Sequence, residues 1–331
     1  MIQKILPNLY SVSIRLVNNP LRSLNSYIIK GKKRNLIIDT GLYQKECLED
    51  LSNGIRELDL DMGVTDIFLT HFHADHSGLA STIASQNSKI YIGADDVSFL
   101  IFELDNNKTY WDALSTMILK AGFPPDEYDK AFEATPARRF VLPHKLECIP
   151  MQDGDVISYN DMELKCILTS GHTPGHICLY NEKNKIMFLG DHVLFDITPN
   201  IVMRPGAVNP LKDYLESLEN CKRFDVEMAL PAHRKGGVSL IKRIDELIAH
   251  HKKRLREVTD IVRGSPGISG YNVASRMNWS IRAKNWADFP AAQKWFAVGE
   301  AYAHLNYLVK DGSIDCDDSS GVNKYNPISF H

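Results

Sequence analysis

Cysteine is sparse and unpaired in this chain. Cys47, Cys148, Cys166, Cys178, Cys221 and Cys316 are scattered over 331 residues without a CxxC pair. That spacing argues against cysteine ligation of a metal and suits free, mostly buried thiols in a reducing compartment. No apolar run approaches the roughly 18 residues that a membrane-spanning helix needs. Met1-Ile2-Gln3-Lys4 leads into a short alternating segment rather than the apolar stretch of a signal peptide. The expectation is a cytoplasmic protein with no membrane partner. Charge of one sign is also lacking, and a net value of -3 argues against a dominant polyanion-binding role. No internal repeat or low-complexity tract is found. What remains, 44% hydrophobic and 24% charged residues, is ordinary globular composition. A length of 331 residues points to one large domain with a smaller one appended.

Short β-type segments recur as far as about residue 235: 9–14, 26–29, 35–39, 66–70, 89–93, 163–168, 177–181, 185–189 and 228–230. Most are apolar and bounded by Gly, Asp, Asn or Pro, and helical stretches at 44–55, 77–84 and 211–221 fall between them. This is a mixed α/β pattern with helix-covered sheets. About 95–145 reads instead as a helical insertion, broken by Pro124-Pro125, that either shapes what enters a pocket or is a plain excursion. Beyond Gly237 strands stop, and Leu240, Ile244, Leu247, Ile248, Leu255, Val258 and Val262 recur at helical spacing. Two more helices, at 271–277 and 291–309, and a small hairpin or wing complete an expected second domain. The expected division is therefore 1–238 and 239–331.

His71-Phe72-His73-Ala74-Asp75-His76 packs four metal-ligand side chains into six residues after the apolar run Ile67-Phe68-Leu69. Three histidines this close are not all core residues, because each buried imidazole needs its own polar partner. A shared cation is the economical one. His172, in Gly171-His172-Thr173-Pro174-Gly175-His176, follows another expected strand; so do Asp191, in Gly190-Asp191-His192, and His233, in Pro231-Ala232-His233. Loops at strand ends are where distant ligands meet. In an extended segment His71 and His73 project to one side, while a turn at Ala74 aims Asp75 and His76 elsewhere.

These motifs, together with Asp39-Thr40-Gly41 after another strand, resemble the metallo-β-lactamase superfamily, and they occur in its order from residue 39 to 233. The resemblance implies an αββα sandwich and a binuclear metal-dependent hydrolase acting through a hydroxide shared by two divalent ions. It assigns His71, His73 and His172 to one ion, Asp75, His76 and His233 to the other, and Asp191 to both. Asp75 would also orient the nucleophile or take a proton, and Asp39 would orient a ligand. Nitrogen and carboxylate donors favour zinc, with iron or manganese as alternatives. The 239–331 segment resembles the mainly helical, winged-helix-like domain of lactamase-beta-2-like members.

Around this constellation, His192 and Arg204 are candidate substrate-binding residues, the second through an anionic group. His176 is a loop or pocket residue, His250-His251 belongs to the long helix, and Tyr110 and Trp111 favour packing over substrate contact. No partner is evident for His144, His304 or His331. Residues 241–300 hold eleven Lys or Arg against six Asp or Glu, a local +5. A nucleic-acid partner is therefore an alternative, though a packed helical cap or a homodimer contact is preferred. The favoured activity is hydrolysis of a small-molecule thioester or other ester, as in the broad glyoxalase-II-like group. A nuclease or phosphodiesterase is the alternative, and a mononuclear iron dioxygenase a third.

Overall fold

The computed structural model of the chain describes residues 1–104, 108–134, 146–237, 239–280 and 283–328. His144 and His331, for which no partner was evident, lie outside them. The described chain forms two compact units. The first comprises residues 1–106, 140–199 and 217–244, and the second 107–139, 200–216 and 245–331.

In the first unit, inner strands buried on both faces, such as Asn35–Ile38, Thr65–Leu69, Ile177–Asn181 and Ile186–Gly190, are joined by more exposed outer strands to build two sheets. β1 (Ile2–Leu6), β2 (Leu9–Arg15), β3 (Ser23–Ile29) and β4 (Asn35–Ile38) run antiparallel; β5 (Thr65–Leu69), β6 (Ile90–Gly93) and β7 (Ile149–Met151) then add in parallel to make seven strands. The second sheet has the order β12-β11-β10-β9-β8, from β8 (Val156–Tyr159), β9 (Met162–Leu168), β10 (Ile177–Asn181), β11 (Ile186–Gly190) and β12 (Met228–Pro231). Successive side chains of a strand point to opposite faces, and the burial follows that rule. Tyr27, Ile29, Leu36, Ile38 and Phe68 face Leu164, Leu179 and Phe188 of the other sheet in one core. Leu24, Ile28 and Ile37 turn outward beneath Cys47 and Leu51 of helix α1 (Lys45–Glu57). On the second sheet, Cys221 at the end of a helix lies against Cys178 of β10. The result is a sandwich of two sheets with helices outside.

Edge strands β1, β7 and β8 are absent from the sequence expectation. β8 buries only Ile157 and Tyr159, and β7 leaves Ile149 and Pro150 exposed, so neither carries the apolar run that marks an inner strand.

The second unit has its own core. Val258, Val262, Val273, Val298, Leu305 and Tyr325 pack with Ile118, Phe123 and Ala131 of the insertion. The contiguous division at 238/239 is kept as a proposal about sequence domains. Spatially the helical unit also takes in 107–139 and 200–216, because the insertion's apolar side chains are buried there. Trp111 meets Phe132 edge-on at 5.3 Å, within that packing. A long helix (Leu240–Arg263) is followed by a short strand (Ile268–Ser269), two helices (Gly270–Arg276 and Ala291–Lys310) and a hairpin (Ile314–Asp317, Lys324–Pro327). The short strand pairs with the last one, which gives the winged-helix connection order.

The six cysteines are free. Among the described residues no helix is long and apolar enough to cross a membrane.

Candidate metal centre

Parallel pairing sets where the loops of the first unit converge. β4 and β5 run side by side, as do β11 and β12, and β9 shares the direction of β11 because both are antiparallel to β10. Asp39, His71, His172, Asp191 and His233 each lie just past one of these strands, so the five loops open on a common edge. Beyond β5, His73 caps a single helical turn, Ala74–Ser77, which carries Asp75 and His76. The loop after β12 is held to β3 by Asn25 N donating to Ala232 O (2.6 Å) and the Tyr27 hydroxyl donating to Pro231 O (2.7 Å).

The seven donors meet in overlapping groups: His71, His73 and His172; His71, His76 and Asp191; Asp75, His76 and His233. Within each group the donor atoms lie within 4.8 Å of one another. His73 Nδ1 is 2.9 Å from His71 Nε2 and 3.0 Å from His172 Nε2. The two oxygens of Asp191 divide between the groups. Its Oδ1 is 3.3 Å from His233 Nε2 and 3.6 Å from His76 Nε2, while Oδ2 is 3.7 Å from His172 Nε2.

Outward hydrogen bonds fix the tautomers. His76 Nδ1 donates to Asp39 Oδ2 (2.8 Å), and His233 Nδ1 donates to the carbonyl of Ser23 (2.8 Å). The Thr70 hydroxyl donates to Asp39 (2.9 Å), which leaves its oxygen to accept from His71 Nδ1 at 3.1 Å. In its neutral form each of these imidazoles therefore turns an unprotonated Nε2 inward, the form a metal ion would select by displacing any second proton. His76 Nε2, His233 Nε2 and Asp191 Oδ1 are buried and lack a hydrogen-bond partner among the described residues. Buried lone pairs left without donors are costly, and a cation satisfies them together. The donor set thus fits the divalent metal that this arrangement implies.

Charge follows the same geometry. Burial opposes ionisation of Asp191, but the His233 and His76 imidazoles outweigh it and hold the carboxyl well below its usual range. Burial and the neighbouring imidazoles push His71 well down. In His76 burial is overcome by Asp39, Asp191 and Asp75, which push it well up.

Asp39 adopts the left-handed backbone region (φ 60°), unusual for a non-glycine residue, and accepts from both Thr70 N (2.8 Å) and His76. His176 is completely buried. Its Nδ1 meets the Thr169 hydroxyl at 2.7 Å, and its Nε2 accepts from Asp191 N at 3.1 Å. It therefore supports the loop of Asp191. Gly190 is required beside it, with φ +49° and room so tight that a Cβ would lie 2.5 Å from His176 Nε2. His192 is also completely buried, and burial pushes it down to about 3. Arg204 belongs to the second unit. Thr70, Thr169 and Ser23 escaped the sequence reading; only Thr70, immediately before His71, had a local signal.

A family model described as the metallo-beta-lactamase superfamily matches residues 20–233. A beta-lactamase-like protein 2 homolog of Caenorhabditis elegans is 24% identical over 296 residues, 89% of this chain and 81% of the worm protein. An atrochrysone carboxyl ACP thioesterase of Aspergillus novofumigatus is 25% identical over 281 residues, covering 79% and 69%. The chain spans less than two thirds of other fungal relatives, 62% and 58% of two lactamase-like proteins. The crystal structure of a metallo-beta-lactamase family protein from Thermus thermophilus superposes with a TM-score of 0.83 at 24% identity, over 98% of this chain and 100% of that one. With the family pattern running through every strand end that carries a donor, the chain belongs to the metallo-beta-lactamase superfamily, whose members are metal-dependent hydrolases.

Proposed function

We propose that the protein hydrolyses a thioester or other ester-type carbonyl substrate with two divalent metal ions, preferentially zinc. The observation that carries the reading is the convergence of seven nitrogen and oxygen donors, among which His76 Nε2, His233 Nε2 and Asp191 Oδ1 are buried without a hydrogen-bond partner among the described residues. His71, His73 and His172 would hold one ion and Asp75, His76 and His233 the other. Asp191, with one oxygen toward each group, would serve both. No cysteine enters these groups, and nitrogen with carboxylate oxygen suits zinc, with iron or manganese as alternatives. When bound, the ions supply Lewis acidity and lower the pKa of a coordinated water from about 15.7 toward about 7.

The chain's own residues supply orientation and proton handling. Asp39 fixes the His76 ring, and His176 fixes the Asp191 backbone. Asp75 keeps its side chain 16% exposed while the Asp191 side chain is only 8% exposed, so Asp75 is the carboxylate of the set better placed to orient a water or receive its proton. The fungal relative named a thioesterase supports carbonyl over phosphoryl chemistry. The nuclease alternative loses support from the second unit. Its last helix, the one a winged helix would offer to a nucleic-acid groove, buries ten of its residues, including Lys294, which pairs with Glu127 at 2.6 Å. A cytoplasmic setting fits the six free thiols.

The test is a panel of acyl-CoA, acyl-glutathione, lactone, β-lactam, bis-aryl phosphodiester and single-stranded RNA, assayed with the zinc-loaded protein. Fastest turnover is expected on a thioester or ester; fastest turnover on the phosphodiester or RNA would overturn the reading.

A further inference from the structure

Asp96 lies outside the donor set, yet its carboxylate is buried at the third position of the helix Ala94–Leu104. Its Oδ2 accepts from Phe72 N (3.2 Å) and from the Thr173 hydroxyl (2.7 Å), and its Oδ1 accepts from Gly175 N (2.7 Å). Phe72 separates His71 from His73, and Thr173 directly follows His172. A carboxylate in a first turn ordinarily serves its own helix; these three bonds leave the helix instead. The approach is close, since a Cβ at position 175 would lie 2.5 Å from Asp96 N, which leaves room only for glycine.

We propose that Asp96 is a positioning residue: one carboxylate clamps the His71–His73 loop to the His172 loop and so pre-organises the three-histidine group. His73 and His172, 99 positions apart, face each other at 3.0 Å. The backbone bond from Ile177 N to Thr70 O (2.9 Å) joins the sheets beside these loops, while Asp96 bonds the segments that carry the two histidines. Buried bonds to a charged acceptor are strong and directional, which is what holding two loops in register requires. The inference rests on reading His71, His73 and His172 as ligands of one ion.

The test isolates that ion by removing a donor from the other group. Zinc binding to His233→Gln is measured by competition with a chromophoric chelator, with and without Asp96→Asn. Circular dichroism and thermal unfolding in the absence of metal check the fold. The expected result is an affinity about 10- to 100-fold weaker with Asp96→Asn. Asp66→Asn is the control, because buried Asp66 bonds Arg34, Tyr159 and Lys89 N, away from the donors, and it should leave zinc affinity unchanged. Should Asp96→Asn not fold, Thr173→Val, which deletes a single bond, is measured in its place with weakened binding expected. An unaltered affinity, or an equal loss in Asp66→Asn, overturns the role of Asp96 and leaves the ligand reading intact. A His233→Gln chain that takes up no zinc overturns the three-histidine reading and the role of Asp96 with it.

Discussion

Replacing Asp39 by Asn alters no volume and removes one charge, yet it should disable His76. The carboxylate accepts from Thr70 N at 2.8 Å, the Thr70 hydroxyl at 2.9 Å and His76 Nδ1 at 2.8 Å. An amide whose oxygen serves Thr70 turns its NH2 toward His76, where two donors then face each other. The imidazole relieves the conflict by moving its proton to Nε2, and the inward lone pair disappears. Losing one hydrogen bond to a charged acceptor costs about 1.5–3 kcal/mol, which is about 10- to 150-fold in affinity. Chelator competition with zinc should therefore show one ion of Asp39→Asn weakened by that factor while the ion at His71, His73 and His172 stays tight. Thermal unfolding of the metal-free variant serves as the check on folding. Wild-type affinity for both ions in a folded Asp39→Asn would refute the orienting role.

Asp191→Ala should lower turnover on the best substrate by several orders of magnitude while circular dichroism stays unchanged; unchanged turnover would remove Asp191 from between the two groups. Glu300, in the second unit, is pushed up to about 7 by burial, against which Arg254 works. Its contribution is fully present below about pH 4.5 and is lost as pH rises through about 7, so Glu300→Gln should gain about 3 kcal/mol relative to wild type between those limits in urea titrations. A pH-independent difference would show that burial does not govern this carboxyl. Phe188→Ala removes a completely buried ring set edge-on to Tyr27 at 5.3 Å in the core between the sheets. It should cost about 3–5 kcal/mol by denaturant unfolding, and a cost below about 1 kcal/mol would contradict a closely packed interior.

Most strands that carry the donors were legible because an apolar run is followed within a few residues by His or Asp, a juxtaposition that needs no knowledge of partners. β9 instead alternates and reaches His172 through Thr169-Ser170-Gly171. The outer strands were not: β8 alternates exposed and buried residues, and β7 is three residues long. The supporting residues were hidden for a different reason. His176 reads as a loop histidine, and its use appears only when Asp191 N, 15 positions away, is set against it. Asp96 reads as one of two acids opening a helix, and its partners lie 24, 77 and 79 positions away. The helical insertion was visible as a departure from strand pattern, but its place in the core with Val258 and Val298 depends on contacts that no local periodicity encodes.

Anomalous diffraction from crystals grown with zinc is the decisive observation. Two peaks are expected, one among His71, His73 and His172 and one among Asp75, His76 and His233, with a different oxygen of Asp191 toward each. A single peak, or ions held away from these side chains, would contradict a paired-metal hydrolase built on the seven donors.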